Sequence, residues 1–132
     1  MFTRLAVAVL CLCVCTVSSA AEHTKDSLET IQKSTADKKA VLVDVREAEE
    51  WRDGHVTGAT FLPLSELKEA TPEAIAKKLP KDKIIYTHCR AGIRSVKAAE
   101  ILEKQGYDVR PLKPGFEDLI KAGFPKEVGE SK

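Results

Sequence analysis

The chain has 132 residues, with 21 lysines and arginines against 20 aspartates and glutamates, and a formal net charge of +1 at pH 7. Acidic and basic residues alternate along it, which is typical of a solvated surface and argues against a nucleic-acid or membrane-surface partner. The length suits one domain with one hydrophobic core, and the sequence contains no internal repeat and no low-complexity segment.

Residues 1–20 have the pattern of a secretory signal peptide. Arg4 supplies a positive start, residues 5–17 form an apolar run, and the small residues that follow allow cleavage after Ala20 or Ala21. The apolar run is shorter than the roughly 20 residues that a membrane-spanning helix needs, and an uncleaved anchor is the alternative. The pattern predicts a periplasmic or secreted protein.

The cysteine content of the chain changes when this signal is removed. Three of the four cysteines lie within it, so the mature chain keeps Cys89 alone. One cysteine cannot form an intrachain disulfide, even in an oxidising compartment. An unpaired thiol in an exported protein is either incidental or reactive. The remaining chain is predicted to form a single domain over residues 22–128.

The first half of this domain alternates helical and strand patterns. After a polar lead-in, Leu28 and Ile31 are spaced for a short helix that ends near Lys38. The apolar, β-branched run 41–45 predicts a strand that is covered on both faces. The patterns that follow predict a helix over residues 47–53, a strand over 59–62, a helical turn over 65–69, and a helix that starts at Thr71-Pro72-Glu73 and stops before Pro80.

The second half continues the alternation. Residues 84–87 predict a strand, and the next helix is predicted from Ser95 to Gln105, with Ser95 as its cap and Gly106 beyond its end. Residues 109–112 predict a last strand, followed by a helix that carries Phe116, Leu119 and Ile120. Strands that alternate with helices predict an α/β fold with a mostly parallel sheet and helices on both faces. Ligand sites of such sheets lie beyond the carboxyl ends of the strands.

Cys89 stands at such a position, in the loop between a predicted strand and a predicted helix. Backbone N–H groups converge on this kind of turn and the helix dipole is positive there, which favours the thiolate, the reactive form of cysteine. Gly92 lets the chain turn sharply, and Arg90 and Arg94 offer guanidinium groups that match sulfonate, sulfate or phosphate oxygens. The loop predicts a catalytic nucleophile, Cys89, in an anion cradle whose substrate-binding residues are Arg90, Ala91, Gly92, Ile93 and Arg94.

This loop resembles that of the rhodanese-like sulfurtransferases, which commonly reads Cys-Arg-x-Gly-x-Arg-Ser. Residues 43–47, the pair Glu50-Trp51 and residues 54–59 resemble the Asp-Val-Arg-Glu, Glu-aromatic and Gly-His-Ile-x-Gly-Ala signature of the same family. The resemblance covers about residues 28–125. The closing segment departs from the family pattern, because Pro114 precedes Gly115 and leucine stands where a tryptophan is common.

The resemblance implies a rhodanese-like three-layer α/β/α fold and the activity of a thiosulfate sulfurtransferase. In that activity Cys89 takes the sulfane sulfur of a small anionic donor such as thiosulfate and carries it as a persulfide. A thiophilic acceptor, cyanide or a thiol, then removes the sulfur, and a thiol redox protein is a candidate partner. No metal or organic cofactor is implied.

Two other functions stay open. His88 before Cys89 resembles the His-Cys pair of cysteine-dependent phosphatases, whose loops place five residues before the arginine. Here four residues separate Cys89 from Arg94, and the smaller ring of N–H groups suits a single outer sulfur better than a phosphoryl group. A phosphatase also needs a general acid, for which Asp44 and Asp53 are candidates. The alternatives are therefore a phosphatase or arsenate reductase-like enzyme, and a non-catalytic persulfide carrier.

The remaining polar and aromatic residues have structural interpretations. Arg46 is predicted to pair with an acid and tie the end of its strand to the following helix, and His55 to hold backbone groups in a turn. Trp51 and Tyr107 are predicted to be packing residues, and His23 to belong to a terminal tail. The three histidines and Cys89 lack the close spacing of a metal site.

Overall fold

A parallel β-sheet forms the centre of the protein. The structure, a computed structural model, describes residues 21–130, so the predicted signal peptide lies outside the described residues. The strands are β1 (Ala40–Asp44), β2 (His55–Val56), β3 (Thr60–Phe61), β4 (Ile84–His88), β5 (Val109–Pro111) and β6 (Lys126–Glu127). The main sheet has the order β3-β1-β4-β5 with every pair parallel. The predicted strands are confirmed, with no end displaced by more than one residue.

Six helices connect the strands. They are α1 (Leu28–Ala36), α2 (Ala48–Asp53), α3 (Leu64–Glu69), α4 (Pro72–Lys78), α5 (Ile93–Glu103) and α6 (Phe116–Lys121). The predicted start of α4 is confirmed, because the Thr71 hydroxyl accepts a hydrogen bond from the amide of Ala74 at 3.2 Å. Each helix among the described residues is too short or too polar to cross a bilayer.

The two faces of the sheet have separate cores, because successive strand side chains point to opposite sides. Val43, Ile85 and Val109 pack on one face with apolar side chains of α3, α4 and α5. Leu42 and Tyr86 pack on the other face with side chains of α1 and α6. The three-layer α/β/α architecture with a mostly parallel sheet is therefore confirmed.

One feature of the fold was not predicted. Strands β2 and β6 form a small antiparallel pair, with His55 opposite Glu127 and Val56 opposite Lys126. Each strand has two residues, which is too short to give an alternating pattern in the sequence. The pair ties the chain after α6 back to the turn that follows α2.

Candidate active site

The carboxyl end of the central strand β4 carries the candidate site. Strand β4 lies between β1 and β5, and Cys89 follows its last residue, His88. The Val45 amide donates to the His88 carbonyl at 3.1 Å, and the Phe116 amide donates to the Cys89 carbonyl at 2.9 Å. These bonds fix the backbone on both sides of the thiol, at the edge of the sheet where α/β proteins bind ligands.

The helix after the loop begins earlier than predicted. Helix α5 starts at Ile93, and Gly92 is its cap with a left-handed backbone (φ 83°, ψ 4°). The prediction that Ser95 caps this helix is wrong. Its hydroxyl instead donates to the Leu112 carbonyl at 2.9 Å, and its own carbonyl accepts from the Thr87 hydroxyl at 2.9 Å. Ser95 therefore ties the first turn of α5 to the ends of two strands.

The loop directs backbone N–H groups at the thiol. The Gly92 amide donates to Cys89 Sγ at 3.2 Å. Burial raises the pKa of the Cys89 thiol, but hydrogen bonds from the amides of Ser95, Ala91 and Gly92 outweigh it and hold the pKa below its ordinary value. The structure thus brings these loop residues together around the sulfur, and the arrangement favours the thiolate.

Glycine is required at two close approaches that close the loop. A Cβ atom on Gly92 would lie 2.9 Å from the Lys113 carbonyl oxygen, and the left-handed backbone there also disfavours other residues. A Cβ atom on Gly115 would lie 1.8 Å from the Arg90 carbonyl oxygen. The segment 113–115 therefore presses against the outside of the loop and holds its shape.

The thiol lies deeper than its place in a loop suggests. Cys89 is 1% exposed, whereas Arg90 and Ala91 beside it are exposed. Cys89 is a free cysteine. A residue this buried offers almost no surface to a dissolved anion in this conformation of the loop.

Arg94 has a partner that was not predicted. Its two terminal nitrogens contact the Glu50 carboxylate oxygens at 2.6 and 3.0 Å, in a bidentate pair. The bond to Arg94 lowers the pKa of Glu50 and keeps it ionised. Hydrogen bonding with Glu50, and Coulomb attraction to Glu50 and to Cys89, raise the pKa of Arg94. The pair anchors the start of α5 to α2. In the sequence, the only sign of this pairing was the negative charge of Glu50 in the Glu50-Trp51 motif.

Arg90, unlike Arg94, lines a cavity beside the loop. A cavity of about 240 Å³ adjoins the loop, and its lining mixes both signs of charge. Its charged lining residues are Arg46, Glu50, Asp53, Arg90, Glu117 and Lys126. Of the two loop arginines, Arg90 is thus the one without an ion pair among the described residues, and it is free to attract an anion.

The predicted structural residues behave as expected. Arg46 donates to both carboxylate oxygens of the fully buried Asp44 and to the Gly54 carbonyl, so it ties β1 to the turn after α2. His55 contacts the Trp51 carbonyl through Nδ1 at 2.9 Å, and its ring stacks on Trp51. Trp51 and Tyr107 are buried packing residues. These predictions are confirmed.

His88 is a neutral residue of the interior. Burial lowers its pKa to about 4, against the smaller opposing effect of Asp44, whose carboxylate lies 3.8 Å away. Neither ring nitrogen has a hydrogen-bond partner among residues 21–130. At neutral pH His88 therefore lacks the charge that would stabilise a neighbouring thiolate, and the backbone amides supply that stabilisation instead.

His23, predicted as a tail residue, contacts the loop. Its Nε2 lies 2.7 Å from the Gly92 carbonyl oxygen, although 69 positions separate the two residues. The prediction is therefore wrong. A contact between such distant positions leaves no local pattern in the sequence.

Within residues 21–130, no cluster of three histidine, cysteine or acidic side chains has the geometry to hold a metal ion.

The thiol is expected to titrate below the range of an ordinary cysteine, so its alkylation rate should rise at lower pH than in the unfolded chain. The folded thiol then binds fewer protons than the unfolded one between the two pKa values. The free energy of unfolding should therefore rise with pH across that window, and this contribution should be lost as pH falls through the folded pKa. Alkylation by iodoacetamide against pH, with denatured protein as the control, checks this. Equal midpoints in both states would contradict it.

Known proteins are similar to this chain in sequence and in fold. The sequence pattern of the rhodanese-like domain matches residues 27–122. The uncharacterized protein YqhL of Bacillus subtilis is 41% identical over 80 residues, which cover 60% of each chain. The thiosulfate sulfurtransferase PspE of Escherichia coli is 36% identical over 87 residues, which cover 66% of this chain and 78% of PspE.

A solved structure agrees with these sequence relatives. A rhodanese with anions from Escherichia coli is 33% identical, covers 68% of this chain and 99% of its own, and superimposes with a TM-score of 0.56. The chain spans less than two thirds of the length of several curated relatives, 60% in the case of YqhL. Among the relatives, PspE and a mitochondrial protein of Schizosaccharomyces pombe carry names of sulfurtransferases. From the loop, the fold and these likenesses together, the chain belongs to the rhodanese-like domain family.

Proposed function

We propose that the protein is a thiosulfate sulfurtransferase that works through a persulfide on Cys89. The observation that carries this proposal is the Gly92 amide, which donates to Cys89 Sγ at 3.2 Å within a ring of converging N–H groups. Such a ring stabilises an anionic sulfur, and the four residues between Cys89 and Arg94 make a smaller loop than the five of the cysteine-dependent phosphatases. PspE, named as a thiosulfate sulfurtransferase, gives further support.

The proposed reaction is a double displacement. The Cys89 thiolate attacks the sulfane sulfur of thiosulfate, a new S–S bond forms, and sulfite leaves with the electron pair of the broken S–S bond. The loop amides then hold the charge on the outer sulfur of the persulfide. Cyanide or a thiolate attacks that outer sulfur and carries it away as thiocyanate or as a new persulfide. Cys89 leaves this S–S bond with the electron pair and returns to its thiolate form. A thiol redox protein is a candidate acceptor.

Arg90 and Arg94 have different roles in this proposal. Arg90 is exposed beside the cavity and attracts the dianionic donor toward the loop. Arg94 is engaged with Glu50 and adds its charge at the foot of the helix, where it favours the thiolate and the persulfide.

The test measures the persulfide and its turnover separately. Intact mass of the full chain should rise by one sulfur atom after exposure to thiosulfate, and added cyanide should remove that mass and release thiocyanate. A mass gain that no acceptor removes would instead indicate a persulfide carrier. Hydrolysis of an aryl phosphate, without any thiocyanate formation, would indicate the phosphatase alternative and overturn the proposal.

We also propose that residues 1–20 direct export, which places the mature domain in the periplasm or outside the cell. The support is the sequence pattern of a positive start, an apolar run and small residues before Ala21. The amino-terminal sequence of the protein recovered from the producing cells tests this. A chain that begins with Met1 and stays in the cytoplasm would contradict it.

A further inference from the structure

The residues before the first helix lie against the loop that carries Cys89. Residues 21–26, which we call the lead segment, run past the end of β5, where the Thr24 amide donates to the Pro111 carbonyl at 2.7 Å. Asp26 accepts from the Tyr86 hydroxyl at 2.7 Å and from Arg110 at 2.9 Å. Ala21 packs against the core cluster that contains Cys89. The lead segment is therefore fixed at both ends beside the sulfur loop.

His23 lies between these two anchors and contacts the loop itself. A carbonyl oxygen only accepts, so the 2.7 Å contact shows that His23 Nε2 carries the proton and donates to the Gly92 carbonyl. A Cβ atom on Gly92 would also lie 3.0 Å from His23 Nε2, so the imidazole is packed against this residue. The two polar groups of Gly92 thus have opposite partners, since its N–H points to Cys89 Sγ and its C=O points to His23.

Peptide geometry connects this contact with the cradle. No described peptide bond is cis, so the carbonyl of Gly92 and the N–H of Ile93 lie in one plane and point in opposite directions. The His23 contact on the carbonyl therefore also constrains the Ile93 N–H, which points the opposite way. Gly92 caps α5, so its carbonyl also accepts from the first turn of the helix. His23 is a second donor on this carbonyl, and it steadies the residue whose own amide donates to Cys89 Sγ.

We propose that His23 is a positioning residue of the sulfur-binding loop, which holds the Gly92 carbonyl and so helps to keep the Gly92 amide on the sulfur of Cys89. His23 does not touch the reacting atoms, and it acts through the loop backbone. The inference deepens the proposed function, because any role of His23 in turnover rests on that function. The effect of His23 on the ionisation of the Cys89 thiol can be measured without any sulfur donor.

The test compares two replacements of the same side chain. His23→Ala removes the donor, whereas His23→Gln keeps an N–H at a similar distance from the backbone. The bond lost in His23→Ala acts on the sulfur only through Gly92, so the thiolate fraction of Cys89 at neutral pH should fall by about two- to threefold, less than the roughly tenfold that one whole hydrogen bond to the sulfur is worth, and His23→Gln should restore most of it. Thiolate absorbance near 240 nm against pH measures this, with the Cys89→Ser chain subtracted so that only position 89 contributes.

A control variant separates positioning from general loss of stability. Ser27→Ala removes the cap of α1, where the Ser27 hydroxyl accepts from the Thr30 amide at 3.1 Å, and should weaken the same end of the chain without touching the loop. It should leave the titration of Cys89 unchanged. An unchanged titration in His23→Ala, or an equal shift in Ser27→Ala, would overturn the inference.

The outcome also stays separate from that of the proposed function. If the thiolate fraction depends on His23 but thiosulfate adds no sulfur to the wild-type chain, the proposed function fails and the positioning role stands. If sulfur transfer proceeds and the His23→Ala chain titrates like wild type, the positioning role fails alone.

Discussion

Replacing Cys89 with serine is expected to abolish both the mass gain from thiosulfate and the formation of thiocyanate. Serine keeps the shape of the side chain and still accepts the hydrogen bond of the Gly92 amide. Its hydroxyl, however, ionises too weakly to act as a nucleophile without an adjacent base. His88 does not supply one, because neither of its buried ring nitrogens has a hydrogen-bond partner among residues 21–130. Activity should therefore fall to the uncatalysed background rather than to a reduced rate.

The fold of this variant should survive, which makes the loss interpretable. Cys89 is a small buried side chain, and a change of one atom in a site that already offers N–H donors should shift the free energy of unfolding by only about 1 kcal/mol. Thermal unfolding checks the fold, and intact mass checks the chemistry. The full chain also contains Cys11, Cys13 and Cys15, so a mass gain that persists in Cys89→Ser would place the persulfide on the leader and contradict the assignment.

The two central strands could be predicted because they are buried on both faces. The runs 41–45 and 84–87 that predicted them are mostly apolar and rich in β-branched residues, and this pattern does not depend on what the rest of the chain does. Their parallel order followed from the helices between them, and the order placed Cys89 at the binding edge. The site was therefore predictable as far as its position and its nucleophile.

The details of the loop depend on contacts that no local pattern encodes. Ser95 is a good helix cap by type, but the left-handed turn at Gly92 starts the helix two residues earlier and turns Ser95 toward Leu112. The pairing of Arg94 with Glu50 joins residues 44 positions apart. A guanidinium expected to bind substrate oxygens thus has a carboxylate partner, which only the folded chain could reveal.

The low exposure of Cys89 also could not be predicted from the sequence. A loop residue that is followed by two arginines suggests an exposed sulfur, yet Cys89 is 1% exposed. The cause is the chain that folds over it, since segment 113–115 and the lead segment press on the loop from the outside. The same contacts hold the backbone of Arg90 and Gly92, on either side of the amides that stabilise the sulfur.

Replacing Gly115 with alanine is expected to be the most damaging change outside the nucleophile. The backbone of Gly115 is extended (φ −89°), a conformation open to any residue, so strain in the turn is not the reason. The reason is contact, because the added Cβ would lie 1.8 Å from the Arg90 carbonyl oxygen and 2.6 Å from its carbonyl carbon. Both atoms belong to the backbone, and neither can move without displacing the sulfur loop.

Two outcomes should therefore appear together in Gly115→Ala. The free energy of unfolding should fall by about 3 kcal/mol, typical of severe overpacking, which lowers the melting temperature by roughly 10–15 °C. The pKa of Cys89 should rise toward its ordinary value, because the amides of Ala91 and Gly92 move with Arg90. Gly58→Ala is the matched control: its backbone is left-handed (φ +82°) but no atom lies within 4 Å of the added Cβ, so it should cost about 1 kcal/mol from strain alone and leave the thiol unchanged. A Gly115→Ala protein that melts and titrates like wild type would show that the loop does not depend on this contact.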